Sequence, residues 1–289
     1  MFDICCIGHI TQDRVVTPRS VKYMPGGTAY YFSCALANLD ANYKLITAVA
    51  GGELQYVEQL REDGIDVDVH PSAKTVFFEN IYGENPDDRS QNVLAVADAF
   101  EPERLQNIQS TIFHLGPLLD TDISTEVIKL LASKALVSLD VQGYLRKVVN
   151  RKVIPCAWAD AENALPYVHT LKADENELAM LTGEKVVKDG IKKLADCGVK
   201  DVIITNGSKG SLIYSSDQFY PIPAFKPATI LDATGCGDTY MAGYLYSKIK
   251  GDDIESCGCF AAAVASLKME QYGPFTGDKN QILKFLANQ

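Results

Sequence analysis

Two glycines and an aspartate stand close together directly before a predicted helix. They belong to the stretch LDATGCGDTY (231–240), and the helix is expected over 236–250. Gly235 and Gly237 can adopt backbone conformations with positive φ and let a ligand approach the main chain closely. The start of a helix also offers N–H groups without intrahelical partners and the positive end of the helix dipole. Together these features predict an anion site, most naturally for phosphate.

Asp238 falls in the first turn of the same predicted helix. A carboxylate repels a phosphate, so it has no obvious place in simple phosphate binding. It becomes useful if it accepts a proton from a hydroxyl nucleophile while the neighbouring amides hold the charge of a group in transfer. The stretch therefore favours phosphoryl transfer to a hydroxyl. An ordinary helix-capping turn is the alternative that the spacing leaves open.

Apolar runs and helix-period stretches alternate along the rest of the chain. The predicted strands cover 2–10, 44–50, 111–116, 135–141, 168–174 and 201–207, followed by a hairpin over SLIYSS and QFYPIPA. The predicted helices cover 28–39, 53–64, 124–134, 175–183, 186–197, 236–250, 254–269 and 278–288. This alternation predicts an α/β fold with a mostly parallel central sheet covered by helices on both faces.

Two segments interrupt the alternation, because their strands have no helix between them. These segments are 14–26 and 74–100. We expect them to form one small β-sheet that projects from the strand ends and acts as a lid over a ligand crevice. The alternative is that they extend the edge of the main sheet. Exposed strand edges in such a lid could also pair two copies of the chain into a homodimer.

The composition restricts the class of protein. The chain has 289 residues and a formal net charge of -10, which argues against a nucleic-acid binder because such proteins present a basic surface. No apolar run approaches the ~18 residues that span a bilayer, so no membrane association is expected. The first residues, MFDICCIGHI, lack the basic segment and cleavage site of a signal peptide. The eight cysteines include no C-x-x-C pair, so reduced thiols in a cytoplasmic protein are expected.

The motifs resemble, in their order, those of the ribokinase-like (PfkB) sugar kinases. DATGCGDTYMAG is similar to the family signature D-T-x-G-A-G-D, and GHITQD to the first strand with its substrate-binding aspartate. Gly26-Gly27 resembles the glycine pair that closes on the sugar, DENE (174–177) the N-x-x-E motif, and TNGSKG (205–210) the nucleotide-binding turn. The resemblance runs from residue 8 to about 275. It implies a single domain over 1–289, with a three-layer α/β sandwich and a small β-sheet lid.

The resemblance implies a role for each matching residue. Asp238 would be the base, and the backbone N–H groups of Gly235, Cys236 and Gly237 would form the anion hole. The acceptor would be bound by Asp13, Gly26, Gly27, Tyr31, Gln142 and Arg146. ATP would lie against Thr205, Gly207, Lys209, Gly210, Thr234 and Ala263. Magnesium would be organised by Asp174 and Glu177, and Asp232 would lie near a site for a monovalent cation such as K⁺, which some members use.

Four positions depart from the family pattern. Tyr31 stands where an asparagine often contacts sugar hydroxyls, and Asp174 replaces the asparagine of N-x-x-E. Ala233 replaces a common threonine, and Cys236 a common alanine. A helix N-terminus favours the thiolate, so oxidation or alkylation of Cys236 is expected to block phosphate binding. The alternative is that Cys236 merely fills the space of an alanine.

The sequence thus predicts an ATP-dependent kinase that transfers the γ-phosphoryl group to a hydroxyl of a small sugar or polyol. The stretch SLDVQGYLR (138–146) is most similar to family members that act on inositol or related polyols. A nucleoside kinase of the same family and a nucleotide-binding regulatory protein without turnover are the alternatives. No G-x-G-x-x-G follows the first strand, which argues against a dinucleotide-dependent oxidoreductase.

Overall fold

The computed structural model describes residues 1–82 and 89–289, which form two β-sheets. The strands of the larger sheet are β1 (Phe2–Gly8), β4 (Tyr43–Val49), β5 (Asp66–Pro71), β8 (Ser110–Gly116), β9 (Leu136–Asp140), β12 (Thr170–Asp174), β13 (Asp201–Thr205), β14 (Ser211–Ser215) and β15 (Gln218–Ile222). The strands of the smaller sheet are β2 (Thr11–Thr17), β3 (Ser20–Gly26), β6 (Val76–Tyr82), β7 (Arg89–Ala95), β10 (Arg146–Val149) and β11 (Lys152–Pro155).

The α-helices of the described residues are α1 (Thr28–Leu36), α2 (Leu54–Glu62), α3 (Pro102–Leu105), α4 (Thr125–Ala132), α5 (Ala161–Ala164), α6 (Glu175–Thr182), α7 (Val187–Asp196), α8 (Cys236–Ile249), α9 (Ile254–Met269) and α10 (Lys279–Leu286). The short helices α3 and α5 were not predicted, and the other eight begin and end within a few residues of their predicted bounds. Capping residues fix where individual helices begin and end. Asp253 caps α9 by accepting the N–H of Ser256 at 2.8 Å, and Gly183 ends α6 with a φ of 75°. None of the helices in the described ranges is long and apolar enough to cross a membrane.

The larger sheet is mostly parallel and lies between two layers of helices. Its order is β15-β14-β13-β12-β9-β8-β1-β4-β5. Its antiparallel pairs are those of β14 with β13 and with β15. β1 is apolar at most positions because a parallel strand covered on both faces buries both sets of side chains. Ile4 and Cys6 belong to the core cluster on the face covered by α1, α2, α8, α9 and α10, whereas Cys5 and Ile7 belong to the cluster on the face covered by α4, α6 and α7. The predicted three-layer α/β fold is confirmed.

The smaller sheet has the order β10-β11-β7-β6-β2-β3 and shares no described strand with the larger one. The two segments predicted to form it, 14–26 and 74–100, supply strands β2, β3, β6 and β7. Residues 83–88 of the second segment lie outside the described residues. The alternative of an extension to the main sheet's edge is therefore wrong. A hairpin at 146–155, which the sequence pattern did not predict, adds β10 and β11.

The carboxyl ends of the parallel strands lie along one edge of the larger sheet. β1 lies between β4 and β8, so the strands that follow β1 in sequence first extend the sheet on one side, as β4 and β5, and then on the other side from β8 onward. Ligand crevices form where the strand order reverses in this way. The residues that end these strands are Gly8, Val49, Pro71, Gly116, Asp140, Asp174 and Thr205. β2 follows β1 after two residues, which places the start of the smaller sheet at this same edge.

Candidate active site

Gly235 caps the amino end of α8 in a left-handed backbone conformation, with a φ of 75°. A side chain there would also collide with a neighbour, since an added Cβ would lie 2.3 Å from the ring of Tyr31. Tyr31 belongs to α1 and is only 3% exposed. The turn before α8 therefore fits against α1 only because residue 235 is a glycine. Both backbone conformation and packing require the glycine that the motif predicted.

The first turn of α8 presents amide donors, and a lysine lies beside them. The Cys236 N–H donates to the carbonyl of Ala233 at 3.3 Å. The amides of Gly237 and Asp238 follow in the first helical turn, where no carbonyl of the helix lies one turn earlier. An added Cβ on Gly237 would lie 3.0 Å from Nζ of Lys172. The helix dipole and this buried ammonium group therefore both favour an anion here.

Asp238 lies within the electrostatic reach of the same groups and is suited to proton transfer. Burial raises the pKa of its carboxyl group, and the charge of Asp140 raises it further. Lys172, a hydrogen bond from Thr28 and the charge of Arg146 act in the opposite direction, and the resulting pKa is about 7. A carboxyl group that ionises near neutrality can accept a proton from a hydroxyl. Thr28 begins α1, so the starts of two helices meet at this carboxylate.

Lys172 and its partners form a buried charged network next to the anion site. Its Nζ donates to Oδ2 of Asp140 at 2.9 Å, and the two side chains are 7% and 4% exposed. Burial alone lowers the pKa of a lysine, but Asp140, Glu177 and Asp238 outweigh it, so the pKa of Lys172 is raised and the group stays charged. Gln142 extends the network by donating from Nε2 to Oε1 of Glu177 at 3.3 Å. Lys172 was not among the residues predicted from the sequence, where its one signal is a charged residue within the apolar strand VHTLKAD.

The residues predicted to close on the acceptor meet where the smaller sheet begins. Thr11 Oγ1 donates to Oδ1 of Asp13 at 2.7 Å, and an added Cβ on Gly26 would lie 2.7 Å from Oδ2 of Asp13. Gly27 has a φ of 87°, and an added Cβ would lie 2.6 Å from the carbonyl oxygen of His9. The glycine pair thus lets β3 turn into α1 while the chain passes close to Asp13.

Three further residues predicted to bind the acceptor have different surroundings. Arg146 begins β10 and is close enough for its charge to lower the pKa of Asp238, so it lies toward the reacting groups. Gln142 is half-buried and bonded to Glu177. Tyr31 is buried against Gly235, where its ring supports the anion site rather than forming an open surface.

The predicted nucleotide-binding turn follows β13. Thr205 pairs with the last residue of β12, which brings the turn beside the start of α6. Gly210 has a φ of 91°, and an added Cβ would lie 2.1 Å from the carbonyl oxygen at the end of β15. Only a glycine there lets the chain turn back into the hairpin. The exposed residues of the turn include Gly207 and Lys209.

Two other residues predicted to contact the nucleotide differ in exposure. Thr234 is exposed on the segment that leads into α8. Ala263 is fully buried, because α9 packs closely on α8: an added Cβ on Gly243 would lie 3.0 Å from Cα of Ala261. The prediction that Ala263 contacts the nucleotide does not agree with this burial, since its side chain belongs to the core.

Asp174 and Glu177 form a capping box at the start of α6. Oδ1 of Asp174 accepts the N–H of Glu177 at 2.7 Å, and Oε2 of Glu177 accepts the N–H of Asp174 at 2.8 Å. Among the described residues, no group of three or more His, Cys, Asp or Glu side chains is arranged to hold a metal ion. The remaining lone pairs of the two carboxylates fit a magnesium ion that arrives with donor phosphates and keeps its water ligands.

A lysine of this chain holds Asp232, the residue predicted to lie near a monovalent cation. Nζ of Lys268 donates to the carbonyl oxygen of Asp232 at 2.8 Å and lies 3.0 Å from its Oδ2. Oδ1 of the same carboxylate accepts the N–H of Thr234 at 2.9 Å. An ammonium group from α9 therefore stands where the sequence predicted a bound cation.

Cys236 does not ionise as its position at a helix N-terminus suggested. Burial raises the pKa of the thiol to about 11, although the charge of Lys268 acts in the opposite direction. Its Sγ lies 3.8 Å from the carbonyl oxygen of Ala265. The thiol is therefore protonated at neutral pH. The prediction of a thiolate is wrong, and the alternative of a small residue filling space agrees with the structure.

The sequence model of one protein family, the pfkB family carbohydrate kinases, matches residues 1–280. The chain belongs to the PfkB family. PfkB kinases are phosphotransferases with hydroxyl acceptors, so the predicted family and enzyme class are confirmed.

This PfkB protein is also similar over most of its length to kinases of named activity. It is 26% identical over 264 residues to the cytidine kinase of Thermococcus kodakarensis, covering 89% of this chain and 92% of that protein. A solved pyrophosphate-dependent kinase of the ribokinase family, complexed with a pyrophosphate analogue and myo-inositol, has a TM-score of 0.85 and 28% identity, over 97% and 99% of the two chains. A pyrophosphate-dependent myo-inositol-1 kinase converted by mutation into a myo-inositol-3 kinase has a TM-score of 0.86 and 26% identity, over 99% and 98%.

Proposed function

We propose that this protein is an ATP-dependent kinase that transfers the γ-phosphoryl group to a hydroxyl of a small polyol or sugar. The observation that carries the proposal is the surroundings of Asp238. Its carboxyl group has a pKa of about 7 and lies in the first turn of α8, within the electrostatic reach of the buried ammonium group of Lys172. Phosphoryl transfer from an anionic donor to a neutral hydroxyl needs a base of this kind beside an anion site.

In the proposed reaction the acceptor hydroxyl gives its proton to the Asp238 carboxylate. The hydroxyl oxygen forms a bond to the γ-phosphorus as the bond from that phosphorus to the bridging oxygen breaks, and ADP leaves with the electron pair. The amides of Gly235 and Gly237 and the ammonium group of Lys172 stabilise the negative charge of the group in transfer. Thr28 donates to the carboxylate and so orients it for proton transfer.

Asp174 and Glu177 are the residues we propose to organise magnesium. A magnesium ion bound to ATP offsets the charge of its β- and γ-phosphates. Burial and the charge of Asp140 raise the pKa of Glu177, so its carboxylate is stabilised when a cation is near. The two carboxylates would hold water ligands of that ion rather than replace them.

A polyol is the acceptor that we favour. Asp13 accepts and Arg146 donates hydrogen bonds, so together they can bind hydroxyl groups of either orientation. The solved kinase complexed with myo-inositol and the myo-inositol kinase both share more than a quarter of their residues with this chain. These two observations support a compact polyhydroxylated ring more than a phosphorylated sugar.

A nucleoside is the second candidate acceptor. The similarity to the cytidine kinase extends over 89% of this chain.

ATP is proposed as the donor because the turn after β13 begins beside the capping box of α6, where the phosphates and magnesium would lie. Its backbone is fixed by Gly210, and Lys209 stands exposed on it. Pyrophosphate is the donor to test beside ATP, since both similar solved kinases named above are pyrophosphate-dependent.

We further propose that the smaller sheet, with β2 and β3 from the predicted segment 14–26 and β6 and β7 from the predicted segment 74–100, acts as a lid within one domain spanning 1–289. It carries Asp13 and joins α1 at Gly26-Gly27, so its closure would exclude water from the acceptor. The same sheet is our proposed surface for a homodimer. All eight cysteines are free thiols, which supports a cytoplasmic location.

The proposal is tested with a panel of acceptors, namely inositols, pentoses, hexoses and nucleosides including cytidine, each with ATP or pyrophosphate. We expect donor consumption to rise with a polyol or sugar and mass spectrometry to find the phosphorylated product. Turnover of nucleosides alone would establish the second candidate instead. ATP binding by calorimetry without turnover on any acceptor would contradict the proposal and favour a nucleotide-binding regulatory protein.

A further inference from the structure

Lys268 is fully buried in the last turn of α9, with none of its side chain exposed. Its Nζ lies 2.8 Å from the carbonyl oxygen and 3.0 Å from Oδ2 of Asp232. The ring of Tyr31 covers it, with 5.8 Å between Nζ and the ring centroid. A buried charge is costly unless partners surround it, so these contacts define a built site for one positive charge.

The segment that Lys268 holds leads directly into the anion site. Asp232 lies three residues before Gly235, which caps α8. Its Oδ2 also accepts the N–H of Gly273 at 3.1 Å, and the N–H of Leu231 donates to the carbonyl of Met269 at 2.8 Å. The end of α9 therefore fastens this segment at several points. Because the segment is short, its position decides where the amides of Gly235 and Gly237 point.

The resemblance implied a monovalent cation near Asp232, and the residues present do not fit one. A K⁺ ion at this place would need the carbonyl and carboxylate oxygens of Asp232, which Lys268 already occupies. The ion and the ammonium group have the same charge and would repel each other at that distance. The chain thus supplies a cation of its own.

We propose that Lys268 takes the place of a bound monovalent cation in fixing the anion site, so that phosphoryl transfer by this protein is independent of K⁺. Lys268 is a positioning residue, since it acts through Asp232 and does not touch the reacting atoms. The proposal rests on the proposed kinase function for its activity readout, and a second readout below does not depend on it.

The first test compares turnover in KCl with turnover in tetramethylammonium chloride at constant ionic strength. The wild-type protein is expected to give the same kcat in both salts. Lys268→Ala is expected to lose about 10²-fold in kcat, the scale of losing one donor of an anion hole. K⁺ or NH₄⁺ should restore much of that loss by entering the space left by the side chain, and tetramethylammonium, which is too large, should not.

Two variants separate a positioning role from general loss of stability. Lys268→Met keeps the stem but not the charge, so it should lose kcat and gain nothing from K⁺. Lys248→Ala removes another lysine paired with an aspartate, Asp201, which begins β13 at the end opposite the site. This control should show no response specific to K⁺ or NH₄⁺.

The second readout is thermal unfolding, which needs no turnover. K⁺ should raise the melting temperature of Lys268→Ala but not of the wild-type protein, because only the variant has a vacant cation site. The proposal is overturned if wild-type kcat rises with K⁺, or if Lys268→Ala keeps its kcat in tetramethylammonium. It is also overturned if folded Lys268→Ala responds to K⁺ in neither turnover nor melting temperature.

Discussion

The ionisation of Asp238 sets the pH range in which the proposed reaction can run. Burial raises the pKa of its carboxyl group to about 7, so below that pH the group is protonated and cannot accept a proton. We predict that kcat/KM rises with pH through about 7 and then levels off, because kcat/KM reports ionisation in the free enzyme.

Lys172 provides the control for this pH dependence. Its charge lowers the pKa of Asp238, so Lys172→Met should move the rising limb of kcat/KM to higher pH. A wild-type limb near the pKa of an ordinary aspartate, about 4, would contradict the account. So would a limb that stays in place in Lys172→Met.

Residues that act through local backbone geometry could be predicted from the sequence, and the roles of buried charged residues could not. Gly235, Gly237 and Asp238 lie within four residues, and their spacing before a helix already indicates an anion and a base. Lys172 and Lys268 find their partners far along the chain, Asp140 and Asp232. A lysine in an apolar strand or helix has no pattern that reveals such a partner, so only the fold shows its role.

At the scale of elements, the fit between α1 and the turn before α8 depends on one glycine. Gly235→Ala would force a Cβ to 2.3 Å from the Tyr31 ring and place alanine at a φ of 75°. We predict a loss of about 10²-fold in kcat as the first amides of α8 are displaced. The left-handed conformation adds a stability cost of about 1–2 kcal/mol.

The matched control is Gly64→Ala, measured for kcat and for unfolding in urea. Gly64 has a φ of 87°, but an added Cβ would meet nothing within 4 Å. It should therefore cost stability and leave kcat unchanged. Equal kcat in Gly235→Ala and the wild-type protein would show that the contact with Tyr31 does not position the anion site.

Elements with a clear helical period or an apolar run were predictable, and strands without such a pattern were not. The helices α8 and α9 and the strand β1 lie close to their expected bounds. β5 was missed because DVDVHP has few apolar residues, and the hairpin of β10 and β11 because each strand has only four residues. That hairpin joins the smaller sheet through a few contacts to β7, which no local pattern specifies.

At the scale of the whole molecule, the smaller sheet ends in an unpaired edge among the described strands, β3. Val21 and Tyr23 on that strand are 50% and 58% exposed. An exposed edge with apolar side chains favours pairing with another copy. We predict a homodimer by sedimentation velocity, and a shift of Tyr23→Arg toward monomer.

Tyr272→Arg is the control for the dimer, since Tyr272 is 78% exposed outside the smaller sheet. It should leave the dimer intact. A wild-type protein that sediments as a monomer over the accessible concentration range, or a dimer that Tyr23→Arg leaves unchanged, would contradict this interface.

The net charge of -10 gives the whole molecule a field that repels an anionic donor. Binding must therefore depend on donors gathered at one point, namely the start of α8 with Lys172 beside it. Asp238 adds a negative charge at the same point, and its proposed role as the base in the reaction accounts for that charge.

Replacement of Asp238 by asparagine tests that claim most directly. Asp238→Asn keeps the shape of the side chain but cannot accept the proton, so kcat should fall by about 10²–10⁴-fold. Donor binding, measured by calorimetry, should persist because the amides and Lys172 remain. Turnover near the wild-type value in a folded Asp238→Asn variant would contradict the account.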